Sequence, residues 1–424
     1  MKEMTATKEI LKSSKPKNPN ADNMKHGWEY CQLDDVVTKG SSNISLNKIK
    51  DEDGEYPVFA AQGFVQNVSF YHQKEDYLAI IKDGAGIGRV SKHPAKSSVV
   101  ATMQYLIPKN GFDIDFIKYF LEGIDFEKHK NGSTIPHIYF KDYKSEKFPK
   151  LPLPEQQRIV SILDESFAAI YKAKANAEQN LKNAKELFES YLQGVFEKKG
   201  DGWEERTLEE MADEKCTLSY GIVQPGEEFE NGLPVIRPTD LTSRYIKVEG
   251  LKRIDPKLAD GYKRTKLIGD ELLLCVRGTT GVVSIATPEL KDANVTRGIV
   301  PIRFNPKILN QEFGYYLLIS NYVQKQIRAK TYGAALMQIN IGDLRKILTP
   351  YPSLKEQQAI VRQLDALRAE TQKLEAVYQK KIADLEELKK SILQKAFSGG
   401  LNLDFKDSQI TKIKEKSSNQ VNQV

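Results

Sequence analysis

Two glycine-rich runs hold the residues that most invite a chemical reading. Gly84-Ala85-Gly86-Ile87-Gly88 follows an apolar run over residues 77–81, and Arg277-Gly278-Thr279-Thr280-Gly281 follows the run Glu271-Leu-Leu-Leu-Cys-Val276, apolar after its first residue. A glycine loop that cradles a dinucleotide needs a third glycine at a fixed step and a helix directly behind it. Here that third position falls on Arg89, and no helix-length run follows. A strand-turn that occurs twice, with cations nearby, explains the pattern better, either as a plain turn or as a loop that faces a phosphate or a groove.

Other chemistries find less support. The sequence has no Gly-x-x-x-x-Gly-Lys-Ser/Thr loop for nucleoside triphosphates, and no Asp/Asn-Pro-Pro-aromatic run of the amino-methyltransferase kind. All five histidines (26, 72, 93, 129 and 137) lie in the first half, which rules out a duplicated histidine-based site. Cys31, Cys216 and Cys275 stand far apart, without the paired spacing of a zinc site or a disulfide framework, as expected in a reducing cytoplasm. No metal site is expected. Scattered Asp, Glu and Lys residues leave a nuclease cluster open.

The elements that position these loops come from a chain of 424 residues, too long for one ordinary core. Lysine and arginine number 63 against 57 acids, an excess of +6 that permits nucleic-acid binding without requiring it. Residues 1–25 read as a disordered polar tail without the apolar core of a signal peptide, and 399–424 as a second polar tail. No stretch has the length and apolarity of a membrane span.

An internal repeat organises the rest. Residues 133–164 align without a gap to 334–365, an offset of 201, with eleven of 32 pairs identical. They include Asp142/Asp343, Pro149/Pro350, Glu155-Gln156-Gln157 against Glu356-Gln357-Gln358, and Leu163-Asp164 against Leu364-Asp365. Upstream, Gly27-Trp28-Glu29 echoes Gly202-Trp203-Glu204 at an offset of 175, and both tryptophans read as core anchors. Between these ends the halves diverge. A repeated frame with unlike contents suits two units that bind different ligands of one class.

Two stretches predict long helices. Residues 154–196 contain no proline after Pro154, one glycine, and many Ala, Glu, Lys, Gln and Leu. Ile159, Leu163, Ser166, Ile170, Ala173, Ala177, Ala184, Phe188, Tyr191 and Val195 recur in steps of three and four, the seam of a coiled coil. Residues 355–397 repeat the pattern, opened by the capping box Ser353 to Glu356. At about 1.5 Å per residue each helix would span roughly 60 Å, so both read as spacers. Chain connectivity makes the pair antiparallel, related by a pseudo-twofold axis. Short β-branched runs bounded by Gly, Pro and Asn, followed by helical patches, make each remaining domain mixed α+β.

This organisation, with the string Leu151-Pro-Leu-Pro-Glu-Gln-Gln-Arg-Ile-Val160 and its partner at 354–361, resembles type I restriction specificity subunits. So does Asn131-Gly132-Ser133-Thr134-Ile135-Pro136, matched by Tyr332-Gly333-Ala334-Ala335-Leu336-Met337, where Leu336-Met337 departs from Ile135-Pro136. The resemblance covers about residues 26–400. It implies target recognition domains at 26–153 and 199–352, each reading one half of a split DNA sequence, joined by spacer helices at 154–198 and 353–398. The expected fold is α+β, with two mixed globular domains joined by an antiparallel coiled coil.

The same resemblance implies a cytoplasmic, non-catalytic subunit that binds double-stranded DNA, two methyltransferase subunits and the restriction (endonuclease/translocase) subunits. S-adenosylmethionine, ATP and Mg then belong to the partners, and none to this chain. Candidate DNA contacts are Lys82, Arg89, Lys92, His93, Lys130, Ser133, Thr134 and His137 in the first domain. In the second they are Arg237, Arg277, Thr279, Thr280, Arg297, Lys330, Thr331 and Gln338. Arginine can bridge a guanine edge and glutamine an adenine edge, while Lys, Ser and Thr hold phosphates. Candidate docking residues are Glu155, Gln156, Gln157, Glu356, Gln357 and Gln358. The alternatives are a protein-gripping scaffold and a stand-alone nuclease or methyltransferase.

Overall fold

A computed structural model describes residues 28–132, 135–334 and 336–401. The chain divides into two units, 1–178 with 379–424, and 179–378. Each unit contains one mixed domain together with a stretch of each long helix.

The first unit opens with β1 (Glu29–Gln32), the one-turn α1 (Leu33–Val36), β2 (Val37–Ser41) and α2 (Leu46–Ile49). Then come β3 (Tyr56–Ala60), β4 (Gly63–Val68), β5 (Tyr77–Ile81), β6 (Val90–His93), β7 (Ser98–Val99) and β8 (Met103–Pro108). It continues with α3 (Ile114–Glu122), α4 (Phe140–Tyr143), β9 (Lys147–Lys150) and the long α5 (Leu153–Glu197). Strands order as β2-β8-β5-β6 in the main sheet and β4-β3-β7 in a smaller one, while β1 pairs with β9. Strand β5 is buried throughout because both its faces are covered. Leu78 and Ile80 meet the helices, including Phe116, Phe120 and Ile392. Tyr77, Ala79 and Ile81 meet Val58 and Val99 of the smaller sheet, as the two-residue period of a strand dictates.

The second unit rebuilds this plan. It has β10 (Glu204–Thr207), α6 (Leu208–Met211), β11 (Leu233–Ile236), β12 (Lys252–Ile254), β13 (Leu272–Cys275), β14 (Val283–Ile285), β15 (Asn294–Val295) and β16 (Ile299–Ile302). These are followed by α7 (Gln311–Ile319), α8 (Asn321–Lys330), α9 (Ile341–Arg345), β17 (Leu348–Tyr351) and the long α10 (Leu354–Phe397). The sheets are β14-β13-β16 and β12-β11-β15, with β10 paired to β17. One uncommon feature recurs: a parallel pair in the smaller sheet, β3 with β7 and β11 with β15. Leu272 and Leu274 face the helices, and Leu273 and Cys275 face the other core.

Within the first unit Lys174 of α5 pairs with Glu386 of α10, and Lys389 donates to the Tyr171 hydroxyl at 2.8 Å. A step of three forward on one helix matches three back on the other, so they run antiparallel. In the second unit the Tyr191 hydroxyl donates to Gln363 at 2.9 Å and Arg368 lies 5.6 Å from the Phe188 ring. The seam residues Ile159, Leu163, Ser166, Ile170, Ala173, Ala177 and Ala184 are buried. Farther along, the predicted Tyr191 is 41% exposed, and Leu192 and Phe196 are buried instead. A 3.6-residue helix drifts about 20° per heptad against a 3.5-residue repeat, which moves the buried face on by one residue.

The first polar tail lies outside the described residues, as do residues 402–424. Leu401, assigned from sequence to the second tail, is 5% exposed and joins the core that holds Phe116 and Ile392. Among the described residues no helix is long and apolar enough to cross a membrane.

Candidate nucleic-acid interface

In each unit the turn that leaves the central strand is clamped to a second loop by the same backbone hydrogen bonds. In the first, Gly84 N donates to Pro136 O (2.9 Å), Ile138 N donates to Lys82 O (2.9 Å), and Asn131 and His137 exchange bonds of 2.8 and 2.9 Å. In the second, Gly278 N donates to Met337 O (2.8 Å), Ile339 N donates to Val276 O (3.0 Å), and Tyr332 and Gln338 exchange bonds of 2.9 Å. Isolated bridges Asp83↔His137 and Arg277↔Gln338 complete the match.

Both clamps need a glycine. Gly132 has φ +82° and Gly333 φ +115°. A Cβ there would stand 2.5 Å from Ile135 O and 2.3 Å from Leu336 O, so a side chain would collide with the loop it closes. Past the glycines the loops expose apolar residues, Ile135 at 64% and Leu336 and Met337 at 45% each.

The frame is shared, but the side chains on it are not. Asp83 in one clamp stands where Arg277 stands in the other, and likewise His137 for Gln338 and Asn131 for Tyr332. One clamp therefore presents an acid, an imidazole and an amide, the other a guanidinium, an amide and a phenol.

In the first unit Lys82 and His137 belong to the clamp. Lys82 Nζ lies 3.5 Å from Asp83, and the His137 ring is 5.0 Å from that of Tyr139. Arg89 closes the same turn, exposed and donating to Ala61 O, and exposed Lys130 pairs with Glu127 at 3.2 Å. Ser133 and Thr134 lie outside the described residues. Lys92 faces α3, where Asp115 neutralises it at 2.8 Å.

His93, expected to touch DNA, is instead a core residue. It is 7% exposed. Its ring stacks on Tyr77 at 5.4 Å, and Nε2 bonds the Ser91 hydroxyl at 2.8 Å. Burial pushes its pKa down to about 4, which keeps the ring neutral. Strand alternation explains the exchange, because on β6 Val90 belongs to the helix-side core while His93 contacts Phe59 of the smaller sheet.

In the second unit Arg277, Thr280 and Gln338 share the clamp, with the Thr280 hydroxyl donating to Met337 O at 3.2 Å. Thr279 is exposed, 3.4 Å from Cys275 Sγ. Exposed Arg297 adjoins them, since Val276 N donates to the carbonyl of the next residue, Gly298, at 2.8 Å. Lys330 ends α8, and the Thr331 hydroxyl donates back to Ile327 O at 2.7 Å. Arg237 is bound internally, donating to both oxygens of Asp240 at 3.1 and 2.9 Å.

The doubled Glu-Gln-Gln motif separates into buried and exposed positions. Gln156 and Gln357 are 0% exposed, which takes both out of the set expected to dock partners. Their carboxamides tie the start of each long helix to the loop before α3 or α7. Exposed Gln157 and Gln358 remain on the surface. Glu155 takes two bonds from Arg158 at 2.7 and 2.8 Å, and Glu356 accepts from the Trp203 indole at 3.1 Å.

Sequence reasoning missed Asp83, which the alignment at the 201 offset does not reach, and Arg244. The Arg244 guanidinium donates to Glu312 (2.5 Å), Asp365 (2.6 Å) and the Tyr316 hydroxyl (3.1 Å), fixing the domain to α10. No periodicity marks an arginine in an irregular loop. Among the described residues no group of three or more His, Cys, Asp or Glu could hold a metal ion.

The family pattern described as "Type I restriction modification DNA specificity domain" matches residues 25–181 and 200–384. The chain is similar to the type I restriction enzyme EcoBI specificity subunit of Escherichia coli, 26% identical over 295 residues; the match covers 64% of this chain and 62% of that one. It is also similar to the MjaVIII specificity subunit of Methanocaldococcus jannaschii, 23% identical over 89% of this chain and 94% of that one. The fold matches a structure described as the basis of complex assembly and conformational transition of the type I R-M system, with TM-score 0.68 and 18% identity. That match covers 89% of this chain and 99% of the other. The HsdS subunit of Thermoanaerobacter tengcongensis matches at TM-score 0.52 and 18% identity, over 89% and 98%.

Proposed function

We propose, from the premise that this chain belongs to the type I restriction modification DNA specificity family, that it is the subunit that gives such a system its DNA address. Each domain reads one half of a bipartite duplex target. The observation that carries this reading is the repeated clamp with unlike side chains, Asp83, His137 and Asn131 against Arg277, Gln338 and Tyr332. A shared backbone frame presents both loops alike, and exchanged side chains let each read different base edges.

The finer reading assigns the chemistry elsewhere. Two methyltransferase subunits dock on the long helices, Glu155, Gln157, Glu356 and Gln358 flank the docking surfaces, and the helices set the gap between half-targets. On this reading the two reader domains are 26–153 and 199–352. Methyltransferase and restriction subunits bring S-adenosylmethionine, ATP and Mg, and the assembly methylates adenine and cleaves DNA in the cytoplasm.

Salt titration of duplex binding by the full chain tests the core of this. Phosphate contacts release counterions, so affinity should fall at least about tenfold between 50 and 200 mM salt. The purified chain alone should neither cut nor methylate DNA. Salt-independent binding would favour a protein-gripping scaffold, and turnover without partners an enzyme.

A further inference from the structure

The clamp places Asp83 and Arg277 in one backbone setting. Each lies between a residue whose carbonyl accepts from the isoleucine closing the clamp (Ile138 N to Lys82 O, Ile339 N to Val276 O) and a glycine whose amide donates across it (Gly84 N, Gly278 N). Each also forms the backbone bridge to the last clamp residue, His137 or Gln338. The side chains therefore leave the frame from the same position with opposite charge.

A phosphate-binding role would suit Arg277 but not Asp83, which a polyanion repels. A base edge suits both. In the major groove a carboxylate accepts from the N4 amino group of cytosine, and a guanidinium donates to O6 and N7 of guanine. Lys82, 3.5 Å from the Asp83 carboxylate with that side chain 38% exposed, offsets the repulsion from nearby phosphates while leaving the acid accessible. Among the described residues no carboxylate lies within ion-pair distance of Arg277, whereas Arg237 has one and Arg244 and Arg303 have two each.

We propose that Asp83 and Arg277 are equivalent base-reading residues, Asp83 selecting a cytosine in one half-target and Arg277 a guanine in the other. The proposal rests on the DNA-reading role above and adds which residues read and which bases they select. It also makes Asp83, an acid, a specificity determinant.

The test is selection of bound duplexes from a random-sequence pool by the full chain, repeated with Asp83→Asn and Arg277→Gln. Wild type should select a C·G pair in one half and a G·C pair in the other. Asp83→Asn should cut the preference at one position of its own half by roughly five- to tenfold or more, leaving the other half unchanged. Arg277→Gln should do the same in the opposite half and shift preference toward adenine, whose N6 and N7 suit a carboxamide. Unaltered preferences at every position would overturn the proposal while leaving the DNA-reading role intact. So would all positions of a half fading together, since that outcome marks a structural residue. If wild type selects no sequence at all, the underlying role falls with it.

Discussion

Gln156 and Gln357, 201 positions apart, hold the same buried post. Gln156 Oε1 accepts from Asp113 N at 2.8 Å, and its Nε2 donates to Gly111 O and Leu151 O at 3.1 and 2.8 Å. Gln357 accepts from Asn310 N at 2.7 Å and donates to Ile308 O and Pro352 O at 2.9 and 2.8 Å. Each carboxamide fills three backbone valences at the elbow where a long helix begins.

Replacing Gln156 with Leu takes the partner from an amide and two carbonyls around a fully buried side chain. Buried groups left unpaired cost about 1–3 kcal/mol each, partly recovered by relaxation, so a loss of about 2–4 kcal/mol is expected. Thermal unfolding read at the first unit should show it as a drop of several degrees. Gln157→Ala, one residue on and exposed, should stay within about 0.5 kcal/mol.

Arg244→Met breaks a cluster in which the arginine side chain is 14% exposed and Asp365 42% exposed. Losing a buried ionic partner costs about 3–5 kcal/mol, and solvent at Asp365 screens part of this, so about 2–3 kcal/mol is expected. Urea unfolding of the second unit measures it. Arg244→Lys should recover only part of the loss, because an ammonium cannot span Glu312 and Asp365 as the planar fork does.

His93 makes the first unit acid-sensitive. Its folded pKa of about 4 lies below the usual value for histidine, so between about 6.5 and 4 the unfolded chain binds the extra proton and stability falls as pH drops. Stability from this residue is complete above about pH 6.5 and lost by about pH 4, a span of roughly 3 kcal/mol. Unfolding measured across that range should lose this slope in His93→Phe, which keeps the stacking on Tyr77 and removes the titration.

Gly333→Ala forces a side chain into left-handed backbone and against Leu336 O. Strain of this kind costs about 1–3 kcal/mol and concentrates in the loop. Hydrogen exchange should show faster amides at Gly278 and Ile339, and duplex selection should degrade in one half-target only. Equal loss in both halves would contradict independent clamps.

The frame was legible in the sequence because it is written twice. The 201-residue offset marked Gln156 with Gln357 and Leu163 with Leu364, and helix propensity with period marked α5 and α10. The side-chain partners were not. Gln156 reads as a surface polar residue because the groups it satisfies are backbone atoms, which leave no trace in composition. His93 lies one residue beyond Lys92, and a strand sends neighbours to opposite faces. The pairing of Arg237 with Asp240, three residues apart, was visible and could have removed that arginine from the candidates. Equivalence of Asp83 and Arg277 needed the clamp, since the turns between Ile81 and Val90 and between Cys275 and Val283 differ in length.

The most direct measurement is long-read mapping of modified adenines in cells that express this chain with a methyltransferase subunit. Two independent readers on a fixed spacer predict one two-part motif with a constant gap, changed in one part alone when residues 26–150 are exchanged. Methylation that persists unchanged after the chain is deleted, with the methyltransferase proven active, would contradict a specificity role.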